Sequence, residues 1–291
     1  MISLKEALIS KNRGDIGSRI DSQLKIEELF EFIDKHYVIK INNRNIDDYR
    51  KYFKIHDNII DIDEPNIELI FSYFKFKNNG SASPGRLLPE GFKFGKVEGD
   101  FEINSGLKPM TLNGCPEYVG GYFLIYGYGI NSLEGCPKRV GKTFTIHDCS
   151  ITSLKGAPEE VESLIIDGPL HISSLKGMPK VKNKIFLNIR DSLKTLEGCP
   201  DRCESFDIVA EKNSISDLTG MPKEVSDFII LSGHMKSLKG MPEDFKGILD
   251  IRNAKHINSL KFCPKSVSKV YCGKYQFLDR EDVAASKIKL K

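Results

Sequence analysis

The chain has 291 residues, of which 43 are basic and 40 are acidic, so its formal net charge is only +3. This near balance argues against a dedicated nucleic-acid-binding protein, which normally carries a large basic surplus. With 40% apolar and 29% charged residues, the composition is typical of a folded globular chain and not of a disordered one. No apolar run approaches the ~18 residues of a membrane helix, and Lys5 and Glu6 interrupt the stretch where a signal peptide would need its apolar core.

Residues 1–84 are predicted to form a small N-terminal α/β cap domain. Apolar residues recur at helical spacing over residues 26–36, and the buried face of this amphipathic helix is expected to contain Ile26, Leu29, Phe30 and Ile33. Short strands are predicted at Tyr37–Ile41 and Ile59–Ile62, because both segments are rich in branched residues.

Three further segments of this region have weaker patterns. Residues 66–76 fit either a strand or a helix. Residues 77–85 are rich in Asn, Gly and Ser and contain Pro84, which is typical of a loop or linker. Residues 3–10 are either a separate docking helix or a frayed terminus.

An internal repeat dominates the rest of the chain, over residues 85–275. The phrase Ser-Leu-Lys/Glu-Gly-Cys/Met/Ala-Pro recurs, and its leucines are separated by 20 to 22 residues. These anchor leucines are Leu112, Leu133, Leu154, Leu175, Leu196, Leu218, Leu238 and Leu260. Self-similarity at one fixed period is the signature of a repeat protein.

Each repeat contains one short strand with a buried face. Its alternating apolar pairs are Phe123/Ile125, Phe144/Ile146, Leu164/Ile166, Ile185/Leu187, Phe206/Ile208, Phe228/Ile230 and Leu249/Ile251. Gly-x-Pro interrupts seven of the eight periods and leaves no room for a helix of ordinary length. We therefore expect a leucine-rich-repeat-like parallel β-solenoid of about eight to nine 21-residue coils, in which stacked coils share one continuous core. Residues 276–291 would form a C-terminal cap or tail.

A glycine precedes the proline by two residues in seven of the eight repeats. These glycines are Gly114, Gly135, Gly156, Gly177, Gly198, Gly220 and Gly240. We expect them to adopt a backbone turn that other residues do not make readily. The last repeat has Phe262 in this position, which indicates that the final coil already serves as a cap.

The run Ser132-Leu133-Glu134-Gly135-Cys136-Pro137, followed by Val140 and Phe144-x-Ile146, resembles the leucine-rich-repeat-like proteins of tailed bacteriophages. The lead-in around Leu88–Phe101 is also similar to that family, and the resemblance covers about residues 85 to 275. The resemblance implies a solenoid in the bacterial host cytoplasm or in the virion. This chain departs from the family's Asn-Asn-x-Leu-Thr turn, since the corresponding turns differ from coil to coil.

Between the buried residues of each strand lie the positions that should face outward. Several of them are apolar, where a merely solvated face would be polar. The candidate partner-binding residues are Leu124, Tyr126, Ile165, Phe186, Val209, Ile229 and Leu231. The alternatives are that the protein's own cap covers these positions, or that the alignment of the repeats is locally in error.

No catalytic or cofactor-binding motif accompanies the repeat, and no metal site or cofactor is predicted. Cys115, Cys136, Cys199 and Cys263 share one repeat position with Met and Ala, which favours an apolar slot over reactive thiolates. His147, Asp148 and Cys149 are consecutive, but adjacent strand residues face opposite sides, which disfavours a nucleophilic site built from this trio and favours an ordinary surface cluster.

The sequence therefore predicts a non-enzymatic module that recognises a protein partner of unknown identity through the solenoid sheet. It predicts neither a nucleic-acid partner nor a membrane partner, and it leaves the oligomeric state open. Two alternatives remain: a virion structural component, and an enzyme or metal-dependent activity in the N-terminal domain with the solenoid as a targeting arm. The acidic cluster Asp61, Asp63 and Glu64 is the only candidate for that activity.

Overall fold

The computed structural model describes residues 15–72, 86–107, 109–190, 192–273 and 277–279. The protein is a parallel β-solenoid of about eight turns with 21 residues per turn, as the repeat predicts. The segments predicted as an N-terminal docking helix (residues 3–10) and as a linker (residues 77–85) lie outside the described residues.

The N-terminal unit begins with helix α1 (Asp15–His36), whose Leu29, Phe30 and Ile33 are buried as the helical spacing predicts. Its strands are β1 (Tyr37–Ile41), β2 (Arg44–Asn45), β3 (Phe53–His56), β4 (Ile59–Ile62) and β5 (Ile67–Ser72), with a 3-10 turn at Arg50–Tyr52. The ambiguous segment 66–76 is therefore a strand where it is described. The apolar residues Ile67, Leu69 and Phe71 at alternate positions of β5 are buried, which favours a strand with one face in the core.

The remaining strands follow the repeat. They are β6 (Lys93–Val97), β7 (Asp100–Asn104), β8 (Tyr118–Val119), β9 (Phe123–Tyr126), β10 (Arg139–Val140), β11 (Thr143–His147), β12 (Glu160–Gly168), β13 (Lys180–Ile189), β14 (Arg202–Ala210), β15 (Glu224–Gly233), β16 (Ile248–Ala254), β17 (Lys269–Tyr271) and β18 (Phe277–Asp279). Strands β12 to β15 are longer because each runs through both segments that earlier coils form as two separate strands.

Two parallel ladders run along the solenoid. The main ladder joins β5, β7, β9 and β11 to β12, β13, β14, β15, β16 and β17 in chain order. The leading ladder joins β4, β6, β8 and β10 to the first residues of β12. Each coil therefore contributes one rung to the main ladder, and successive coils are neighbours in space.

The solenoid begins earlier in the chain than the repeat indicates. Strands β4 and β5 pair in parallel with β6 and β7, so residues 59–72 already form a coil. The predicted boundary between residues 84 and 85 thus does not separate two independent sheets. This first coil lacks the Leu-x-Gly-x-Pro phrase, and a search for that phrase cannot find it.

The core is one continuous column of apolar side chains. All eight anchor leucines are buried, and Phe123 stacks on Phe144 of the next coil with ring centroids 5.3 Å apart. The seven repeat glycines all have positive φ, between 90° and 101°, as the turn requires. Aromatic and leucine ladders of this kind let each coil bury the apolar face of its neighbour.

Both ends of the main ladder are closed by antiparallel strands. Strand β1 pairs with β5 at the N-terminal end, and β18 pairs with β17 at the C-terminal end. At the N-terminal end of the leading ladder, β3 pairs antiparallel with β4. Such caps satisfy the backbone groups of an edge strand that would otherwise pair with other chains.

Candidate recognition surface

The outer face of the main ladder is formed by alternate residues of strands β9 to β15, whose side chains point away from the core. All of these side chains are partly or fully exposed. The outer face comprises Tyr122, Leu124, Tyr126, Thr143, Thr145, His147, Ser163, Ile165, Asp167, Lys184, Phe186, Asn188, Ser205, Asp207, Val209, Phe228, Ile230 and Ser232.

Five of the seven candidate residues lie on this face: Leu124, Tyr126, Ile165, Phe186 and Val209. They occupy two columns that run along the solenoid axis. Cross-strand pairing aligns Thr145 with both Leu124 and Ile165, and aligns Ile165 with Phe186. Ile165 and Phe186 are therefore direct neighbours on β12 and β13, whereas the polar Thr145 separates Leu124 on β9 from Ile165.

The outward assignment of Ile229 and Leu231 is wrong, because both side chains are 0% exposed and belong to the core. Strand β15 pairs Ile229 with Phe206 and Leu231 with Ile208. The ladder shifts register between Cys203 and Ser205, where β15 contains one residue more than β14. A shift of one residue moves every following side chain to the opposite face.

The same shift places Phe228 and Ile230, predicted as a buried pair, on the outer face. Phe228 is 43% exposed. The segment Phe228-Ile229-Ile230-Leu231 consists of four apolar residues in a row, so its alternation cannot show which two residues face the core. Only pairing with the neighbouring coil distinguishes the two registers.

Strand β9 is the most aromatic part of the outer face. Along this segment Tyr122, Leu124 and Tyr126 all point outward, and Tyr128 follows in the next turn. Tyr122 is 51% exposed and Tyr128 is 46% exposed, and the Lys142 ammonium lies 5.2 Å from the centroid of the Tyr122 ring. The alternation of tyrosines in the sequence could have identified Tyr122 and Tyr128, which the sequence analysis missed.

A polar column lies beside the apolar one. His147 is flanked by two carboxylates, with its Nδ1 atom 3.4 Å from Asp148 Oδ2 and its Nε2 atom 3.6 Å from Asp167 Oδ2. Asn188 Nδ2 donates a 2.8 Å hydrogen bond to Asp167 Oδ1. The Tyr126 and His147 rings are 5.1 Å apart. These contacts hold four side chains from consecutive coils in fixed positions.

One charged group interrupts the apolar column. Asp207 aligns with Phe186 on one side and with Ile230 on the other, and only 15% of its side chain is exposed. Burial raises the pKa of Asp207, although the Lys184 ammonium, 3.5 Å from Asp207 Oδ2, opposes this shift. The carboxylate is thus partly dehydrated in the folded protein, which favours a partner that supplies a cation or hydrogen-bond donors.

The neighbouring cysteine and histidine do not form a nucleophilic pair. Cys149 is 0% exposed, and its thiol is 3.4 Å from the His147 carbonyl oxygen, whereas the His147 imidazole lies on the outer face. Burial raises the pKa of Cys149 to about 12. A thiol this weakly acidic is protonated at neutral pH and is a poor nucleophile.

The shared cysteine slot of the repeat is also apolar in character. Burial raises the pKa of Cys115, Cys136 and Cys199, and raises that of Cys263 to about 12. The partly buried residues at this repeat position, including Met178, pack against the core. These thiols therefore act as packing groups, as their exchange with Met and Ala predicts.

The acidic cluster of the N-terminal unit makes structural contacts. Asp61 Oδ1 accepts a 2.7 Å hydrogen bond from the Lys96 backbone N–H, and Asp63 forms an ion pair with Lys54. Glu64 Oε1 accepts hydrogen bonds from the backbone and side chain of Asn66. Within the described ranges, no group of three or more His, Cys, Asp or Glu side chains is arranged to hold a metal ion.

Comparison of the chain with protein-family models, with curated proteins and with solved structures found no match. Over the part of the chain that the structure describes, no helix is long and apolar enough to span a lipid bilayer. The fold and the outer face define a β-solenoid repeat protein with an aromatic and apolar sheet surface.

Proposed function

We propose that the chain is a non-enzymatic protein-interaction module of the phage type, which recognises a host or virion protein through the outer face of its main ladder. The observation that carries this proposal is the adjacent pair Ile165 and Phe186 on the outer face, with Leu124 beyond Thr145 in the same column and the tyrosines of the β9 segment beside it. Exposed apolar side chains that adjoin one another mark interaction surfaces in soluble proteins.

The geometry of this surface suits protein recognition. Its side chains stand on paired strands, so they are already ordered before a partner arrives, and binding loses little conformational entropy. Phe186 lies near the middle of the solenoid, and its ring has the Lys184 ammonium 5.7 Å from its centroid. Aromatic residues near the centre of an interface often contribute most of the binding free energy. Tyrosines add contact area together with a polar tip.

The proposed partner surface is apolar at its centre and carries a cationic or donor group opposite Asp207. Because Asp207 is flanked by Phe186 and Ile230, a partner that covers these residues also dehydrates the carboxylate further. An uncompensated buried charge is strongly unfavourable. We expect the true partner to place Lys, Arg or backbone N–H groups at this point. Asp207 thus contributes specificity more than affinity.

The direct test is the substitution Phe186→Asp. We expect this variant to fold normally, because the side chain points outward, and to lose its captured partner in affinity purification from infected and uninfected host lysate. Removing a central aromatic anchor costs about 2 kcal/mol or more, or roughly a thirtyfold loss of affinity.

Leu24→Asp is the matched control, since Leu24 is an apolar residue on helix α1 with 42% exposure, outside the outer face. The control should capture the same protein as the parent chain. Recognition lies elsewhere if Phe186→Asp still captures every protein that the parent captures. Loss of capture in both variants would indicate non-specific adhesion of apolar surface.

A further inference from the structure

The last coil of the solenoid has an unusual charge. Residues 248–273, from the start of β16, contain Arg252, Lys255, Lys261, Lys265 and Lys269 and one acidic residue, Asp250, which forms an ion pair with Arg252, for a formal charge of +4. The side chains of Lys255, Lys261 and Lys265 are exposed. A surface of one sign at the end of a rod creates a directional field that attracts groups of the opposite sign.

The same coil holds an aromatic residue in a strained backbone conformation. Phe262 has φ 72°, at the position where the seven preceding repeats have glycine. Its side chain is 50% exposed, and the Lys261 ammonium lies 5.0 Å from the ring centroid. Left-handed backbone at a bulky residue costs about 1–3 kcal/mol, and such strain concentrates at sites that bind something.

The opposite end of the solenoid carries the opposite charge. Residues 15–72 contain 13 acidic and 8 basic side chains, for a formal charge of −5. Exposed carboxylates of this unit include Glu28 and Glu31 on helix α1 and Asp47 after strand β2. Since coils stack in chain order, the N-terminal unit and the last coil are the two ends of the main ladder.

The parallel strands at both ends of the main ladder are covered. Strand β1 covers β5 at one end and β18 covers β17 at the other, both in antiparallel pairing. The backbone groups of the terminal coils are therefore largely satisfied. The features that could join the two ends are side chains, namely complementary charge and the ring of Phe262.

We propose that the chain associates with itself head to tail, with the basic last coil and Phe262 of one copy docked on the acidic N-terminal unit of the next. The two docking surfaces differ, so the contact is heterologous and propagates into rows of copies instead of closing a symmetric pair. This inference uses the ends of the solenoid and does not depend on recognition by the outer face. A row would present several copies of that face and raise its avidity for a multivalent partner.

Salt dependence is the first test, measured by sedimentation velocity of the full chain over a range of concentrations. The Debye length falls from about 30 Å at 0.01 M salt to about 3 Å at 1 M salt. We expect a concentration-dependent ladder of dimers and larger rows at about 0.01 M salt and monomers at about 1 M salt. A monomer at both salt concentrations overturns the proposal.

Neutralised variants test the direction of the contact. The tail variant carries Lys255→Gln, Lys261→Gln and Lys265→Gln, and the head variant carries Glu28→Gln, Glu31→Gln and Asp47→Asn. Each variant alone should be at least tenfold weaker in self-association. An equimolar mixture should form a one-to-one dimer and nothing larger, because only one intact head and one intact tail remain. Failure of the mixture to form this dimer overturns the head-to-tail geometry.

The matched control carries Lys155→Gln, Lys176→Gln and Lys239→Gln. These lysines follow their anchor leucines as Lys261 follows Leu260, but they lie in inner coils. The control should associate like the parent chain. If it dissociates equally, net charge and not the last coil drives association, and the proposal fails.

Phe262→Gly separates docking from folding. This change removes the backbone strain, so the thermal midpoint of the monomer should rise, while self-association should weaken at least tenfold because the ring is lost. Unchanged association would exclude Phe262 from the contact and refute that part of the proposal. A different outcome is that the parent chain stays monomeric but binds a single-stranded oligonucleotide, and that the tail variant loses this binding. That result would show that the basic coil recognises a polyanion instead of a second copy.

Discussion

Two glycines at the same repeat position provide a test of how closely successive coils approach each other. Gly114 and Gly198 have nearly the same backbone conformation, with φ 94° and 101°. Their surroundings differ. A Cβ atom on Gly198 would lie 2.4 Å from both Leu175 C and Lys176 N of the preceding coil, whereas a Cβ atom on Gly114 would meet only Leu87 Cβ at 3.9 Å.

The magnitudes follow from these distances. Either Gly→Ala substitution places a side chain in left-handed backbone, which costs about 1–3 kcal/mol. At Gly198 the backbone of the preceding coil must also move by about 1 Å, and such overpacking adds roughly 1–3 kcal/mol or more. We therefore expect Gly114→Ala to destabilise the protein by about 2 kcal/mol and Gly198→Ala by about 4 kcal/mol.

Equilibrium urea unfolding followed by far-UV circular dichroism measures this difference, and thermal scans provide a second readout. For a chain of this size each kcal/mol corresponds to about 2–4 °C in the thermal midpoint, so the two variants should differ by several degrees. Equal losses in the two variants would refute the argument, because backbone strain alone would then explain both. A larger loss for Gly114→Ala would mean that the coils do not approach each other as described.

Three further predictions concern the cap, metal ions and Asp207. Deletion of residues 1–57 removes α1 and strands β1 to β3 and exposes the edges of β4 and β5. The truncated chain should therefore aggregate, which dynamic light scattering measures. A truncated chain that stays monomeric and folded would show that the cap is dispensable. Treatment with a chelator should leave the thermal midpoint unchanged, because Asp61, Asp63 and Glu64 already form hydrogen bonds and an ion pair within the chain. A large fall in the thermal midpoint would instead indicate a structural metal. The raised pKa of Asp207 means that the folded state binds its proton more tightly than the unfolded state, so this carboxyl lowers stability as pH rises above its ordinary pKa. Asp207→Asn should therefore raise the thermal midpoint slightly at pH 7 and leave it unchanged at about pH 3, whereas a lower midpoint at pH 7 would show that the ion pair with Lys184 outweighs the effect of burial.

The outer face and the ends of the solenoid have separate roles in these proposals. The outer face depends on side chains of the middle coils, such as Phe186, and its test is partner capture. The ends depend on the charges of the terminal units, and their test is the mass of the protein in solution. A variant that loses one property should retain the other, so failure of either proposal is visible without the other.

Much of the fold was predictable from the sequence because stacking repeats impose a period that can be counted. The anchor leucines, the glycines with positive φ and six of the seven alternating pairs are buried or oriented as the repeat predicts. The C-terminal half of helix α1, residues 26–36, and strands β1 and β4 were likewise predicted, since Leu29, Phe30 and Ile33 follow helical spacing and the strands are rich in branched residues. These features depend on local pattern, which any single coil or helix carries within itself.

The tertiary structure decided the features that depend on the next coil. Ile229 and Leu231 turn inward because β15 contains one more residue than β14 before the aligned core positions, and four consecutive apolar residues carry no period-two signal to reveal it. Strands β4 and β5 join the solenoid through backbone pairing alone, without the repeated Leu-x-Gly-x-Pro phrase. The partial dehydration of Asp207 also arises between coils, because its neighbours Phe186 and Ile230 are more than 20 residues away in sequence. Sequence determines which residues recur, whereas cross-strand register determines which of them meet.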